Sequence, residues 1–296
     1  MREEVRQIQE LLEGQAYIAD RSVATSVYLA MRLGKPLLIE GPAGVGKTEI
    51  AKVLATALAT NLVRLQCYEG LDAATALYEW NYSKQLLHIK LQESSSASDA
   101  QKEAEIFSEP FLLRRPLLEA ITNQTRSPVL LIDEIDRSDE EFEAFLLEIL
   151  SDFQVTIPEI GPVKATHRPH VVLTSNRSRE LSDALRRRCL YLWIDYPSFE
   201  KELEIVRARV PAISEPLSAE ITRVIQAVRK LSLTKVPGVA ETLDWATALV
   251  ALNTSELDQA VIAETTGCFL KDESDLRKFE SELTSGSLTE ALNPLS

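Results

Sequence analysis

The sequence predicts an α/β protein in three layers, with helices on both sides of a parallel sheet, followed by a smaller all-helical region. Five short apolar runs indicate the strands, at residues 36–40, 62–67, 129–133, 170–175 and 190–194. Continuous apolar runs are typical of parallel strands that are covered on both faces, and their alternation with helical patterns favours right-handed crossovers. After residue 196 only helical patterns remain. We therefore expect an α/β core over residues 1–196 and a helical region over residues 197–296.

Helical periodicity fills the stretches between the strands and the region that follows them. Residues 5–12, 23–33 and 140–150 are expected to form helices of the core. In the last of these the apolar residues recur at i, i+3, i+4 and i+7, which predicts a face that packs against the core. No catalytic role is assigned to this helix. In the second region helices are expected over 198–210, 219–231, 243–252 and 256–269. The acidic tail from Asp272 is expected to be partly disordered or a weak helix.

The segment after the first strand, Gly-Pro-Ala-Gly-Val-Gly-Lys-Thr, is the most informative motif in the chain. It lies between a strand and a helix, which is the arrangement that phosphate binding needs, because glycines let successive N–H groups converge on an anion at a helix N-terminus. Lys47 is expected to bind the β- and γ-phosphates of ATP, and the Thr48 hydroxyl to ligate Mg²⁺. An accidental glycine-rich turn is the disfavoured alternative. The predicted nucleotide-binding residues are Gly41, Pro42, Ala43, Gly44, Val45, Gly46, Lys47, Thr48 and Glu49.

Two acidic residues end the third apolar run, Val-Leu-Leu-Ile-Asp-Glu. Ligands of parallel sheets lie at the carboxyl ends of the strands, so Asp133 is expected beside the phosphates as a Mg²⁺ ligand, through water. Glu134 is expected to orient or deprotonate the attacking water. Alone, an apolar strand that ends in two acids is common and is weak evidence for a hydrolysis site. In a chain that also has a phosphate-binding loop before it, the same pattern is strong evidence.

Polar residues at the end of the fourth strand and in the stretch 183–189 complete the predicted site. Asn176 ends the run His-Val-Val-Leu-Thr-Ser-Asn, and we expect it to bind the attacking water or the γ-phosphate. A turn asparagine is the alternative. In a ring of nucleotide hydrolases, an arginine following this strand can reach the neighbour's γ-phosphate. Arg188 is favoured for this role, with Arg187 and Arg186 next, although three consecutive arginines are more often a solvated face.

The order and spacing of these four motifs resemble those of the AAA+ ATPases. Within that superfamily the chain most resembles the MoxR family, and in particular its CoxD-type members, which are associated with maturation of carbon monoxide dehydrogenase and related molybdenum hydroxylases. The likeness is carried by residues 13–20, the phosphate-binding loop, residues 78–82 and residues 235–245.

The resemblance implies a homo-oligomer, a hexameric ring, that works with a von Willebrand A-domain adaptor on a client metalloenzyme. It also implies that Tyr17 and Ile18 contact adenine, with plain core packing as the alternative. It implies a helix-2 insertion at about residues 69–111, whose middle, residues 92–99, has linker composition. A β-hairpin insertion is implied at about residues 153–168, in agreement with the strand-like runs there.

Two features within this resemblance are left open. Family members often start a lid helix with an arginine that contacts nucleotide, but residues 238–243 contain none. Either lid closure on ATP is weaker in this chain, or another residue such as Lys235 substitutes for the arginine. Tyr78, Trp80 and Tyr82 alternate with polar residues in the insertion. They predict either a substrate-gripping edge or a hairpin whose aromatic face packs inward.

Composition limits the functional classes. The chain has 32 basic and 45 acidic residues, a net charge of −13, which argues against broad binding to a nucleic-acid backbone. Its three cysteines are far apart, so that neither a thiolate metal site nor a disulfide framework is expected. His167 and His170 lack a third ligand and are expected to belong to a loop and a strand start rather than to a metal site. No signal peptide and no membrane span are expected, which favours the cytoplasm.

Three functions are consistent with these observations. The first is an ATP-hydrolysing ring that remodels a partner metalloenzyme. The second is a DNA-directed AAA+ motor, since relatives of that clade act on nucleic acid. The third is a nucleotide-gated scaffold with little turnover, which the set of Asp133, Glu134 and Asn176 disfavours.

Overall fold

The computed structural model of the chain describes residues 2–92 and 98–285. They form two compact units. Among the described residues, the first comprises 2–8, 21–40, 51–92 and 98–192, and the second comprises 9–20, 41–50 and 193–285. Most of the stretch with linker composition, and the tail beyond residue 285, lie outside the described residues.

Helices and strands alternate along the first two thirds of the chain, as expected. The helices are α1 (Arg2–Glu13), α2 (Arg21–Leu33), α3 (Lys47–Ala57), α4 (Ala73–Leu77), α5 (Tyr82–Leu91), α6 (Asp99–Ile106), α7 (Pro116–Ile121), α8 (Glu140–Asp152), α9 (Asp183–Arg188), α10 (Phe199–Arg209), α11 (Glu215–Val228), α12 (Val239–Ala251), α13 (Gln259–Thr265) and α14 (Glu273–Ser285). The strands are β1 (Leu37–Glu40), β2 (Leu62–Gln66), β3 (Tyr78–Trp80), β4 (Leu112–Arg114), β5 (Val129–Asp133), β6 (Gln154–Ile157), β7 (Gly161–Lys164), β8 (His170–Ser175) and β9 (Leu190–Trp193).

The sheet of the first unit confirms the predicted fold class. Its five strands lie parallel in the order β2-β5-β8-β1-β9. Strands β1 and β5 are buried along their whole length, as expected for strands covered on both faces. The edge strand β2 instead alternates between exposed and buried residues, so that Arg64 and Gln66 share one face. The register pairs Gln66 with Asp133, which brings the carboxyl ends of neighbouring strands to one edge of the sheet.

Two small antiparallel pairs of strands accompany this sheet. Strands β6 and β7 pair antiparallel within the stretch where a hairpin was expected. Strands β3 and β4 pair antiparallel in the insertion, where Trp80 is 5% exposed and packs edge-on against Phe107, with ring centroids 5.2 Å apart. Trp80 is therefore a core residue and cannot grip a substrate. Tyr82, by contrast, is exposed at the start of α5.

The helical part of the second unit has its own apolar core, and its helices begin where capping residues place them. Helix α11 starts at Glu215 rather than at residue 219, because Ser214 caps it and Pro216 lies in its first turn. Helix α12 starts at Val239, four residues earlier than expected, after an N-cap at Gly238. The last predicted helix of this region ends early, at Thr265, and a 3₁₀ turn follows. Trp245 is fully buried in this core.

Among the described residues, no helix is both long enough and apolar enough to cross a membrane.

Candidate nucleotide-binding and hydrolysis site

The glycine-rich loop of the second unit folds around its own lysine. Lys47 is 6% exposed, and its ammonium donates to the carbonyl oxygens of Gly41 at 2.8 Å and Pro42 at 2.6 Å. Gly44 and Gly46 have φ values of +75° and +89°, in the left-handed region that favours glycine. Alternating glycine conformations of this kind turn backbone N–H groups inward, which suits an anion.

The surroundings of the loop show why its glycines are needed. A β-carbon at Gly41 would lie 1.9 Å from the carbonyl oxygen of Ile194, so the backbone there has no room for a side chain. At Gly46 a β-carbon would meet only the Tyr17 ring, at 3.9 Å, and the positive φ alone requires glycine. The residues present therefore fit a nucleotide phosphate, with the loop N–H groups, Lys47 and the hydroxyl of Thr48 as its donors and metal ligand.

The other predicted nucleotide contacts belong to the same unit as this loop. Tyr17 is half-buried beside Gly46, and burial, followed by the charges of Asp20 and Glu49, raises the pKa of its phenol above the ordinary value. Ile18 is half-buried as well. Glu49, in the first turn of α3, accepts a hydrogen bond of 3.0 Å from Arg209 of α10. Adenine binding by Tyr17 and Ile18 stays a prediction.

In the first unit, Asp133 is held at the end of β5 by a hydroxyl and a guanidinium. Thr174 donates to Asp133 Oδ1 at 2.5 Å, and the Nε and Nη2 atoms of Arg64 lie 3.1 and 2.5 Å from Asp133 Oδ2. The carboxylate is 3% exposed. These contacts fix the orientation of the side chain that is predicted to ligate Mg²⁺.

Glu134 lies beside Asp133 in a turn that aims its carboxylate at Asn176. The residue has φ +55°, and its N–H donates to the Thr174 hydroxyl at 3.0 Å. Its Oε2 accepts from Gln66 at 3.0 Å and from Arg137 at 3.2 Å, whereas Oε1 lies 3.5 Å from Asn176 Nδ2. The structure thus brings together the two side chains predicted to act on the attacking water.

A buried aspartate joins the two turns that carry these residues. Asp136 is 3% exposed, and its Oδ2 accepts hydrogen bonds from the Asn176 N–H at 3.2 Å, from the Ser178 N–H at 2.8 Å and from the Ser178 hydroxyl at 2.7 Å. Between these two residues Arg177 has φ +59°. Asp136 therefore holds a left-handed turn next to the one at Glu134.

The three consecutive arginines of α9 differ in their surroundings. Arg186 Nη2 pairs with Glu40 Oε2 at 3.0 Å, and the hydroxyl of Tyr191 donates to the same oxygen at 3.0 Å. Arg187 and Arg188 are both exposed. The N-terminus of α9 is fixed as well, because Glu143, 1% exposed, accepts from the Ser182 N–H at 2.9 Å.

Several of these residues were not predicted from the sequence. They are Glu40, Arg64, Gln66, Asp136 and Thr174. For Arg64 and Gln66 a signal existed, since two polar residues at i and i+2 of an apolar strand share one face. Asp136 and Glu40 gave no signal, because only the fold brings them to their partners 40 and 146 residues away.

Comparison with known proteins agrees with this geometry. Residues 36–189, more than half of the chain, match the family model described as AAA domain (dynein-related subfamily). An uncharacterized protein, SH1500 of Staphylococcus haemolyticus, is 24% identical over 229 residues, which are 75% of this chain and 79% of that protein.

The Holliday junction branch migration complex subunit RuvB of Thermotoga petrophila is 25% identical over 206 residues, which are 64% of this chain and 49% of RuvB. The chain thus spans about half the length of that relative. A solved structure of a Thermotoga maritima RuvB mutant superposes with a TM-score of 0.50 at 17% identity, covering 99% of this chain and 79% of that one, which is a likeness of fold. On the family match over residues 36–189, the chain belongs to the AAA domain family, dynein-related subfamily, of the AAA+ ATPases.

Proposed function

We propose that this protein is a MoxR-type AAA+ ATPase that hydrolyses ATP in an oligomeric ring. The observation that carries the proposal is the placement of Glu134 Oε1 3.5 Å from Asn176 Nδ2, at the carboxyl edge of a sheet whose strand β1 leads into the phosphate-binding loop. A binding-only protein would not need a carboxylate and an amide set together to act on water. A scaffold with little turnover is therefore disfavoured.

Each residue has a defined role in the proposed reaction. The loop N–H groups and Lys47 would bind the β- and γ-phosphates. Thr48 and Asp133 are the residues that would hold Mg²⁺, which neutralises developing phosphate charge when it is bound. Glu134 would accept the proton of the attacking water, and Asn176 would orient that water.

A ring is supported by the arginines of α9. An arginine that stabilises transition-state charge on a neighbour's nucleotide must extend from the surface of its own subunit. Arg188 is exposed, and it lies on a helix that is fixed at both ends. In the proposed architecture residues 1–196 form the ATP-binding core, and residues 197–296 form a helical lid with its tail. The ring is taken to be a hexamer, following the MoxR resemblance, and the cytoplasm stays its predicted location.

We infer that the work of the ring is done on a protein partner, a metalloenzyme of the molybdenum hydroxylase or carbon monoxide dehydrogenase type, with a von Willebrand A-domain adaptor. The resemblance to CoxD-type proteins supports this inference, and so does helix α5 of the insertion. That helix buries Gln85 and half-buries His88. Its exposed residues include Tyr82, Leu86, Leu87, Ile89 and Leu91. Exposed apolar side chains of this kind suit a polypeptide better than a nucleic acid.

The test of hydrolysis is the substitution Glu134→Gln. It keeps the shape of the side chain and removes the base, so that turnover should fall by about 10²-fold or more while ATP remains bound. Glu140→Gln, on the exposed first turn of α8, is the matched control and should hydrolyse ATP like the unmodified protein. Normal turnover by Glu134→Gln would exclude the assigned role.

The partner is tested with the same variant. A molybdenum hydroxylase produced together with the Glu134→Gln protein should lack activity and remain attached to it in the presence of ATP. A hydroxylase that matures fully in cells without any active copy of this ATPase would refute the proposed client class.

A DNA-directed motor is the second candidate, because the RuvB relative is named for branch migration of Holliday junctions. The net charge of −13 opposes it. Binding to a four-way DNA junction at physiological salt, weakening steeply as salt rises, would favour this candidate over a protein client.

A further inference from the structure

Within the second unit, the phosphate-binding loop touches the start of helix α12 directly. Gly44 of the loop and Gly238, the N-cap of α12, lie with their backbones against each other. The N–H of Ala240, in the first turn of α12, donates to the Gly44 carbonyl at 3.2 Å. This is the stretch in which the sequence lacks the arginine expected of a lid.

The contact leaves no room for a side chain on either residue. A β-carbon at Gly238 would lie 2.7 Å from Gly44 Cα and 2.8 Å from the carbonyl oxygen of Ala43. A β-carbon at Gly44 would lie 2.9 Å from Glu241 Oε2 and 3.1 Å from Gly238 Cα. The close contact resists any approach of the two backbones, and the hydrogen bond from the Ala240 N–H to the Gly44 carbonyl resists their separation.

Gly238 is in turn held by buried groups of the helical core. Its N–H donates to Glu241 Oε2 at 2.8 Å. The preceding carbonyl, of Pro237, accepts from Arg229 Nε at 2.8 Å, and Arg229 is paired with the fully buried Glu202. The start of α12 is therefore rigidly joined to α10 and α11.

Lys235 was predicted as a possible substitute for the lid arginine, but its side chain extends towards Asp272. Its ammonium lies 4.0 Å from Asp272 Oδ2, and its side chain is 62% exposed. At the start of α12 the link to the loop is thus made by backbone, whereas a cation, Arg209 of α10, pairs with Glu49 in the first turn of α3.

We propose that Gly238 is a positioning residue that couples the phosphate-binding loop to the helical region, in the place where a lid arginine is absent. The coupling rests on the proposed function, since it needs a nucleotide phosphate in the loop. When a phosphate draws the loop N–H groups inward, Gly44 moves with them, and Gly238 and the first turn of α12 must follow. The coupling is reciprocal, so that a displacement of α12 changes the conformation of the loop and its affinity for nucleotide.

The test compares two glycines of the helical region. Gly238→Ala places a β-carbon where atoms already lie within 2.8 Å, whereas Gly267→Ala meets nothing within 4 Å and has no positive φ. Affinity for a fluorescent ATP analogue is expected to fall about tenfold or more in Gly238→Ala, because small displacements of binding groups have large effects, and to stay within about twofold in Gly267→Ala.

A second measurement separates coupling from general damage. Hydrogen exchange of the amides of residues 239–242 should change on nucleotide addition in the unmodified protein and in Gly267→Ala. At saturating nucleotide it should not change in Gly238→Ala. If that variant does not fold, Glu241→Ala, which frees the Gly238 N–H, should lose part of the response, and Glu241→Gln should restore it.

The outcomes also distinguish this coupling from the proposed function. If Gly238→Ala binds nucleotide normally and shows the normal exchange response, the coupling is refuted and the ATPase stands. If the unmodified protein neither binds nor hydrolyses ATP, the proposed function itself has failed.

Discussion

Arg186 Nη2 donates to Glu40 Oε2 over 3.0 Å, and Glu40 is the last residue of β1, only 1% exposed. A buried carboxylate needs such partners, since an unpaired charge in the interior is costly. Arg186 is therefore the anchor of α9, which leaves Arg187 and Arg188 as the arginines that can reach another subunit.

Arg188→Ala is expected to lower ATP turnover by about 10²-fold or more, because an arginine acting on a neighbour's nucleotide stabilises charge in the transition state. Nucleotide affinity should change little. Steady-state hydrolysis and equilibrium binding of a fluorescent nucleotide measure the two effects.

Arg187→Ala and Arg186→Ala serve as comparisons. The first should keep most of its turnover. The second should lower the free energy of unfolding by about 1–3 kcal/mol, as expected when a buried acceptor loses a partner. If Arg187→Ala loses turnover and Arg188→Ala does not, the arginine that acts on the neighbour's nucleotide is Arg187 and not Arg188.

Asp136→Asn should reduce turnover about tenfold without weakening nucleotide binding. The substitution replaces a carboxylate that accepts from the backbone of Asn176 and Ser178, and the turn that carries Asn176 then loses its fixed position beside Glu134. Single-turnover hydrolysis and nucleotide titration would show the effect.

The matched control for Asp136→Asn is Asp139→Asn, which keeps an N-cap acceptor for α8 and lies three residues away. It should hydrolyse ATP normally. In an Asn176→Ala background, Asp136→Asn should add little further loss, whereas a full additional tenfold loss would show that Asp136 acts by another route.

The phosphate-binding loop and the sheet were predictable because their signals are local. A glycine pattern, a buried apolar run and a helix cap each depend on a few consecutive residues. The strands that end at Asp133 and Ser175 therefore end where they were expected to end.

The contacts that orient the site were not predictable in the same way. Arg64 and Asp133 are 69 residues apart, and Gly44 and Gly238 meet only through tertiary packing. Trp80 shows the same limit, because an alternating aromatic pattern fits an exposed edge as well as a buried one, and only packing against Phe107 decides between them.

Cys67 is expected to resist alkylation in the folded protein. It is fully buried, and burial, followed by the carboxylates of Asp133, Asp136 and Glu134, raises the pKa of its thiol from 9.0 to about 12. Because the thiolate is the reactive form, iodoacetamide at pH 8 should modify Cys67 only after unfolding in urea. Mass spectrometry of the digested protein would measure this, and rapid native labelling of Cys67 would contradict the burial.

The same raised pKa sets the sign of a pH effect. The folded state keeps the thiol proton to higher pH than the unfolded state, so this contribution to stability is complete below pH 9 and is lost as the pH rises towards 12. Cys67→Ala should show a smaller loss of unfolding free energy across that range than the unmodified protein.

Arg229→Ala should destabilise the helical core by about 3–5 kcal/mol, because it leaves the buried carboxylate of Glu202 without its cation. Both nitrogens Nη1 and Nη2 of Arg229 lie 2.6 Å from Glu202, whose other partners, Thr242 and Gln226, are neutral. Arg207→Ala, which breaks the exposed pair with Glu215, should cost less than about 1 kcal/mol. Urea unfolding followed by circular dichroism would measure both variants.

Arg229→Lys tests whether charge alone is sufficient. A lysine keeps the positive charge but cannot bind both carboxylate oxygens of Glu202 and the Pro237 carbonyl together. Because that carbonyl precedes Gly238, the lysine variant should weaken nucleotide binding in addition to lowering stability. A variant that is less stable yet binds nucleotide with unchanged affinity would show that the buried pair supports the helices without positioning the start of α12.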